Sequence, residues 1–400
     1  MSDSYKTRWS VVAVTMFSAV IGAAHVGKLA PALPDLRADL NLDLVTAGWV
    51  ASVFALIGLV LGVASGLVGD RFGAARTLAC GLIICATGGA LGTLSESAAP
   101  LLVSRIFEGL GFILIVVPGT KLIAEASRGS ARRFVYGVWG THMPVSATLT
   151  ILIAPLIIDA AGWRGLWLAV AAGCLVCLIP VLRVLDLSPP ARPTSPRFSL
   201  AARLVGVLGS PGIWFAALGF AAYTLQWISM MIWLPTYLVE VQGLGIGLAT
   251  VLTAGMVFIN IPGNLLGGWL LRRGLSHGGV VFAAAAIMGL TGIAIFAVGP
   301  PPMIAYALCL AFSAGGGMLP ATVLAAGALF VPDTDRMGAA NGLIVQGAHL
   351  GQLLGPPTFA AAVAAHGTWS ATVWPLAAGS GLAMVLALLL RRQEQRQANP

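Results

Sequence analysis

The chain is a succession of apolar stretches, each about as long as a lipid bilayer is thick, separated by short polar breaks. A helix rises 1.5 Å per residue, so about 20 apolar residues cross the hydrocarbon layer. Stretches of that order run over residues 9–30, 46–68, 77–95, 100–122, 134–158 and 164–184, then over 212–236, 247–271, 279–298, 303–330, 338–364 and 371–390. Only 9% of the residues are charged, against roughly 25% in a soluble domain. Such a chain cannot solvate its own surface in water. Backbone in lipid must satisfy its hydrogen bonds within the segment, which selects helices. The expected fold is therefore an all-α membrane protein of twelve transmembrane helices. The 50 glycines fit this class, because small residues let membrane helices approach closely.

Charge placement orients the spans. With a cytoplasmic N-terminus and alternating helices, seventeen of the 22 Lys and Arg fall on the cytoplasmic side, and only Arg37 and Arg164 on the other. Positive residues gather on the inner face of membrane proteins, so both termini are expected in the cytoplasm. The net charge of +8 is thereby topological. The basic residues come in twos to fours between apolar runs and form no basic face, so no nucleic-acid partner is expected. All five cysteines lie inside apolar runs. Cys174 and Cys177 form a C-x-x-C without a neighbouring His or second Cys pair, so neither a disulfide framework nor a metal site is expected. The run from Trp9 to Ala24 has no small-x-small cleavage site and reads as a retained first helix. Residues 186–210 are rich in Pro, Ser and Arg, with a short amphipathic stretch at 198–208. They read as a cytoplasmic linker between an N-terminal six-helix half, 1–185, and a C-terminal six-helix half, 211–400. Two such halves imply a repeat, with solute bound midway between them.

Two motifs add a resemblance. After the second span the chain reads Gly66-Leu67-Val68-Gly69-Asp70-Arg71-Phe72-Gly73-Ala74-Ala75-Arg76. Gly66 permits close helix packing, Asp70 can cap or pair at a helix end, Gly73 permits a tight turn, and Arg71 and Arg76 anchor the loop at the cytoplasmic face. The equivalent place in the second half, Gly263-Asn264-Leu265-Leu266-Gly267-Gly268-Trp269-Leu270-Leu271-Arg272-Arg273-Gly274, keeps glycines and arginines but no Asp. The fourth span holds Arg105-Ile106-Phe107-Glu108-Gly109-Leu110-Gly111. These segments resemble the loop between helices 2 and 3 and the helix-4 signature of the major facilitator superfamily. Gly162-Trp163-Arg164 resembles the usual start of helix 6 in that superfamily. The resemblance covers nearly the whole chain and implies alternating-access transport with no cofactor, in which Gly66, Asp70, Arg71 and Gly73 form the conformational loop. Similar length and the run Lys28-Leu29-Ala30-Pro31-Ala32-Leu33-Pro34 resemble the cyanate and nitroimidazole permease branch. The nitrate/nitrite porters carry arginines in helices 2 and 8, and spans 46–68 and 247–271 have none. Of the helix-5 motif of drug/proton antiporters, only Pro155 stands in place.

Polar groups inside spans need a reason, since each charge costs roughly 2.5–3.5 kcal/mol on insertion scales. Lys28 lies on the first span; Arg105 and Glu108, three residues apart, share a face of the fourth. By the resemblance, helices 1, 4, 7 and 10 line the cavity, so the three can meet in one layer. Two readings stand. Either Arg105 and Glu108 form a structural pair while Lys28 snorkels outward, or Lys28 and Arg105 attract an anion while Glu108 holds Arg105 or carries a proton. His25, three residues before Lys28, and His142 on the fifth span are either packing groups or proton-coupling groups. On the eleventh span Gln346, His349 and Gln352 make one stripe, and Tyr223, Gln226, Trp227 and Asn260 offer uncharged contacts from spans seven and eight. The expected substrate-binding set is Lys28, Arg105, Tyr223, Gln226, Asn260, Gln346 and His349. The expected function is proton-coupled symport of a small organic anion by a monomer in a bacterial inner membrane, with a proton-coupled exporter of drugs or metabolites as the alternative. No Walker loop and no Ser/His/Asp arrangement appears, so an enzyme is not expected.

Overall fold

The computed structural model describes residues 7–187, 205–331 and 334–398, without the side chains of 63–68, 70, 129–130, 132–133, 334–336 and 398. The structure is built of α-helices, and two of their breaks follow prolines. The first span consists of α1 (Trp9–Gly27) and α2 (Leu29–Asp39), parted at Lys28. Pro31 has no N–H to offer the carbonyl of Gly27, and its ring crowds that carbonyl, so α1 stops there. The span reaches Asp39, well beyond the expected residue 30, because Asp35 and Arg37 lower hydropathy without ending the helix. The second span is α3 (Leu44–Ser52) and α4 (Phe54–Phe72), bent by 43°. Asp43 caps α3 by accepting from Thr46 N at 2.9 Å and Thr46 Oγ1 at 2.6 Å. Gly73 then turns the chain with φ +95° into α5 (Ala74–Gly92).

Next come α6 (Ala98–Ala126), the amphipathic α7 (Gly129–Trp139) and the 43-residue α8 (His142–Val184). The fifth span thus begins at His142 and not at 134. Gly162, with φ +67°, breaks α8 into spans five and six. The rest is α9 (Pro211–Glu240), α10 (Ile246–Phe258), α11 (Asn260–Arg272), α12 (His277–Ile293), α13 (Pro302–Phe330), α14 (Thr334–His366) and α15 (Val373–Ala398). Pro262 withholds an N–H from Phe258, where α10 ends, by the same logic as Pro31.

Among the described residues, nine helical runs are long and apolar enough to cross a bilayer, and the bent α3–α4 pair is a tenth. The kinked α8 supplies two spans rather than one. The 33-residue α14 is long enough to cross, although Asn341, Gln346, His349 and Gln352 make it more polar. The protein is an integral membrane protein of twelve transmembrane helices.

The chain forms two compact units, Met1–Leu42 with Leu56–Thr194, and Asp43–Ala55 with Ser195–Pro400. Most of the expected linker, 188–204, lies outside the described residues. In the first unit α1 packs on α6 and α8, and α5 on α6. In the second, α9 runs along α14 over a ridge of Gly347, Gly351 and Gly355. A Cβ on Gly351 would come 2.0 Å from Ala221 O, so the two backbones touch there.

Candidate functional site

The first unit buries a cluster of charge where α1 breaks. Lys28 Nζ donates to Glu108 Oε1 at 2.6 Å and lies 3.1 Å from His25 Nδ1. That same His25 nitrogen is 3.1 Å from Glu108 Oε1. Arg105 Nη1 donates to Glu108 Oε2 and, at 2.6 Å, to the backbone oxygen of His25. His25, Lys28, Arg105 and Glu108 are all 0% exposed. Gly88 and Gly89 of α5 make the room: a Cβ on Gly88 would meet Glu108 N at 2.9 Å, and one on Gly89 would meet His25 Cε1 at 3.1 Å. Around this core, Cys85 Sγ donates to Glu108 O at 3.4 Å, Cys174 Sγ lies 3.6 Å from His25 Nε2, and the Trp167 ring covers Lys28 Nζ at 4.1 Å.

The arrangement holds two cations against one carboxylate. Burying ions is costly, and even a well-paired buried ion cluster is weak evidence for stability. Charges kept inside a membrane mark a functional site by default. The triangle of Lys28 Nζ, His25 Nδ1 and Glu108 Oε1 admits two proton placements. Either His25 Nδ1 accepts from Lys28 and its Nε2–H faces Cys174, or a protonated His25 donates from Nδ1 to Glu108.

A second set of contacts ties the end of α2 to the start of the sixth span. Trp163 Nε1 donates to Asp39 Oδ2 at 3.0 Å, and Arg164 pairs with the same oxygen at 2.5 Å. Arg164 also donates to the carbonyls of Thr93 and Ser95. The other unit repeats the motif: Trp369 Nε1 donates to Glu240 Oε2 at 3.0 Å. Each tryptophan follows a glycine in the left-handed region, Gly162 at φ +67° and Gly367 at φ +69°. Asp39 ends α2, and Glu240 ends α9.

The second unit holds an uncharged network. Asn260 Nδ2 donates to Tyr223 Oη and to Ser313 O, both at 3.1 Å, and Asn260 Oδ1 accepts from Asn264 at 3.0 Å. Trp227 Nε1 donates to Ser313 Oγ at 3.0 Å, and the Tyr223 and Trp227 rings stack at 6.3 Å. Gln226 points elsewhere: it donates to Ala222 O at 2.9 Å and accepts from Ser380 Oγ at 2.7 Å, locking α9 to α15. His349 is buried, and its Nδ1 has no hydrogen-bond partner among the described residues. Gln346 lies half-buried one turn away.

The sequence model described as the Major Facilitator Superfamily matches residues 11–356. The chain belongs to the Major Facilitator Superfamily. It is a membrane transporter, and a small-molecule substrate follows from the family. Among superfamily relatives, the hexuronate transporter of Bacillus subtilis (strain 168) is 23% identical over 97% of this chain and 94% of its own length. The methylenomycin A resistance protein of the same organism is 25% identical over 54% of this chain, which spans only 44% of that protein. The crystal structure of a bacterial homologue of the human lysosomal transporter Spinster, inward-facing and occupied, superposes with a TM-score of 0.78 at 16% identity, covering 98% of both chains. At that identity the likeness is one of fold.

For this superfamily member, the structure brings His25, Lys28, Arg105 and Glu108 into one cluster, and Tyr223 and Asn260 into another. Lys28 does not snorkel; it is among the largest fully buried side chains. His142 stands apart at the start of α8, its Nδ1 2.8 Å from Trp139 O and its ring 5.2 Å from the Trp139 ring. Of the expected conformational loop, Gly73 turns the chain with a positive φ and Arg71 is exposed beside Phe72. The side-chain surroundings of Gly66 and Asp70 lie outside what is described. Sequence reasoning missed Trp167, Ser313 and Ser380. An available signal for Trp167 was its place one turn after Trp163 in a span where Trp is otherwise absent.

Proposed function

We propose that the protein carries a small organic anion across the membrane by alternating access, with a proton as co-substrate. One observation carries this reading: the buried His25–Lys28–Arg105–Glu108 cluster sets two cationic side chains against one carboxylate. An anion is the ligand that such a set of donors suits. Arg105 and Lys28 are the groups suited to a carboxylate, the first by a planar fork and the second as a point charge. Similarity to a hexuronate transporter over nearly the whole chain supports the same class, since a hexuronate is a sugar carboxylate. Taken by itself, the second unit offers Tyr223, Asn260, Gln346 and His349 as its proposed solute-binding groups. Gln226 would act through packing.

Coupling follows from electrostatics. A proton on His25 raises the cluster charge by one and so strengthens anion binding. Two opposite unit charges about 5 Å apart at an effective dielectric of ~20 attract by about 3 kcal/mol. The effect is reciprocal, so the bound anion holds the proton by the same amount. The two ions then load and leave together, which is symport.

The reading includes a monomer in a bacterial inner membrane with both termini cytoplasmic. Reporters fused after residue 400 and ahead of residue 1, one active only in the cytoplasm and one only outside it, test the orientation. A second reading, proton-driven export of drugs or metabolites, is favoured by the similarity to the methylenomycin A resistance protein. Uptake of carboxylates into proteoliposomes, with and without an inward proton gradient, separates them. Gradient-stimulated accumulation of one carboxylate, lost in Lys28→Ala and Arg105→Ala, supports symport. No anion uptake, with gradient-driven movement of neutral or cationic drugs, refutes it in favour of export.

A further inference from the structure

The Lys28 ammonium has three donor positions, and all are occupied. Glu108 Oε1 takes one at 2.6 Å, His25 Nδ1 faces another at 3.1 Å, and the π face of Trp167 covers the third at 4.1 Å. An anion can reach this ammonium only by displacing one of them. Glu108 is also held by Arg105, and His25 is on the same helix as Lys28. The indole is the replaceable one. Trp167 is fully buried, yet its Nε1 has no hydrogen-bond partner among the described residues. Other indoles of the protein are tied: Trp163 to Asp39, Trp227 to Ser313, Trp233 to Pro356 O and Trp369 to Glu240. Swinging Trp167 aside therefore breaks no hydrogen bond. An orphan buried N–H is costly, and an arriving carboxylate would satisfy it. Trp163, edge-on to Trp167 at 5.3 Å and pinned at its own nitrogen, is the fixed wall against which the ring turns.

We infer that Trp167 is the positioning residue that admits a small carboxylate to Lys28: its ring plugs the ammonium until the anion displaces it, and its Nε1–H then donates to the bound carboxylate. The inference rests on the anion-transport reading for its substrate, but the plug is testable without any substrate. The reporter is Ser104→Cys. Ser104 is 1% exposed. Its Oγ and Trp167 Nε1 both lie 2.9 Å from the point a Cβ on Gly92 would occupy, so it sits at the edge of the plug. Lys28→Cys serves as a second reporter should the first fold poorly.

In membranes holding the full chain, the rate of labelling of the reporter by 2-sulfonatoethyl methanethiosulfonate is followed by peptide mass spectrometry. With Trp167→Ala, labelling is expected to accelerate by about tenfold or more, because the opening that exposes the site no longer moves an indole. With Trp167→Phe, which keeps a π face, and with Trp163→Phe, it is expected to stay near the parent rate. Equal labelling with Trp and Ala at 167 overturns the plug. The transport arm uses carboxylate uptake: Trp167→Phe is expected to raise KM by about tenfold with little change in maximal rate, the loss of one hydrogen bond to a charged group. An unchanged KM overturns the donor role. Absence of carboxylate uptake in the parent protein would overturn the anion reading and with it the donor role, while the labelling result would still decide the plug.

Discussion

Replacing Glu108 by Gln removes the only carboxylate from the buried cluster and keeps its shape. The magnitude can be worked from the geometry. Glu108 touches Lys28 at 2.6 Å and contacts Arg105 directly. At an effective dielectric of ~20, each cation at about 4 Å between charge centres contributes about 4 kcal/mol, so two contribute about 8. The variant recovers the desolvation cost of the carboxylate, several kcal/mol. The expected net destabilisation is therefore about 3–5 kcal/mol, the range found when one partner of a buried pair is removed. The variant cluster then holds two cations that have lost their shared carboxylate, so its loss should be offset by an added anion more than in the parent. The assay is thermal unfolding of purified protein in detergent, with and without a small carboxylate at fixed ionic strength, alongside a neutral sugar. Carboxylate should restore much of the stability of Glu108→Gln and the neutral solute none. Equal stability of variant and parent, or equal rescue by the neutral solute, would refute the account of the cluster as an anion site held together by Glu108.

Four further outcomes are expected. Lys28→Met in the Glu108→Gln background should be more stable than Glu108→Gln alone, because it removes a stranded cation; unfolding of the double variant checks this. Asp43→Ala should cost about 1 kcal/mol through loss of the α3 cap, read by the same melt. Hydrogen bonds from Thr46 hold the Asp43 carboxyl below its ordinary range, so its contribution is present above that range and disappears as the pH falls through the lowered value; Asp43→Asn should lack this pH dependence. Gly351→Ala must part α9 from α14, where a Cβ would come 2.0 Å from Ala221 O, at a cost of about 1–3 kcal/mol, whereas Gly381→Ala, with open space around it, should be near neutral.

The sequence by itself determined the class of protein. Hydropathy and charge scarcity demand a helical membrane protein, because lipid leaves no other way to satisfy a backbone, and this information is local to each span. Pro31 and Pro262 mark helix breaks that the reading of whole apolar spans passed over, although a missing N–H acts four residues away. The Arg105–Glu108 and His25–Lys28 relations were legible because each pair lies within one helix at a spacing that shares a face. Span ends were less legible. Asp35 and Arg37 end the apolar run without ending α2, and residues 134–141 are apolar in part yet belong to the amphipathic α7 and its turn. Only the tertiary structure decided that Lys28 meets Glu108, 80 residues away, rather than reaching for the surface. It alone set Trp167 over the ammonium and turned Gln226 toward Ser380 instead of toward Tyr223 and Asn260. Such choices depend on the azimuth of one helix against another, which glycine positions such as Gly88 and Gly89 set through backbone approach. Hydropathy along a chain carries no record of that angle, because in a span apolar on every side it leaves the inward face unmarked.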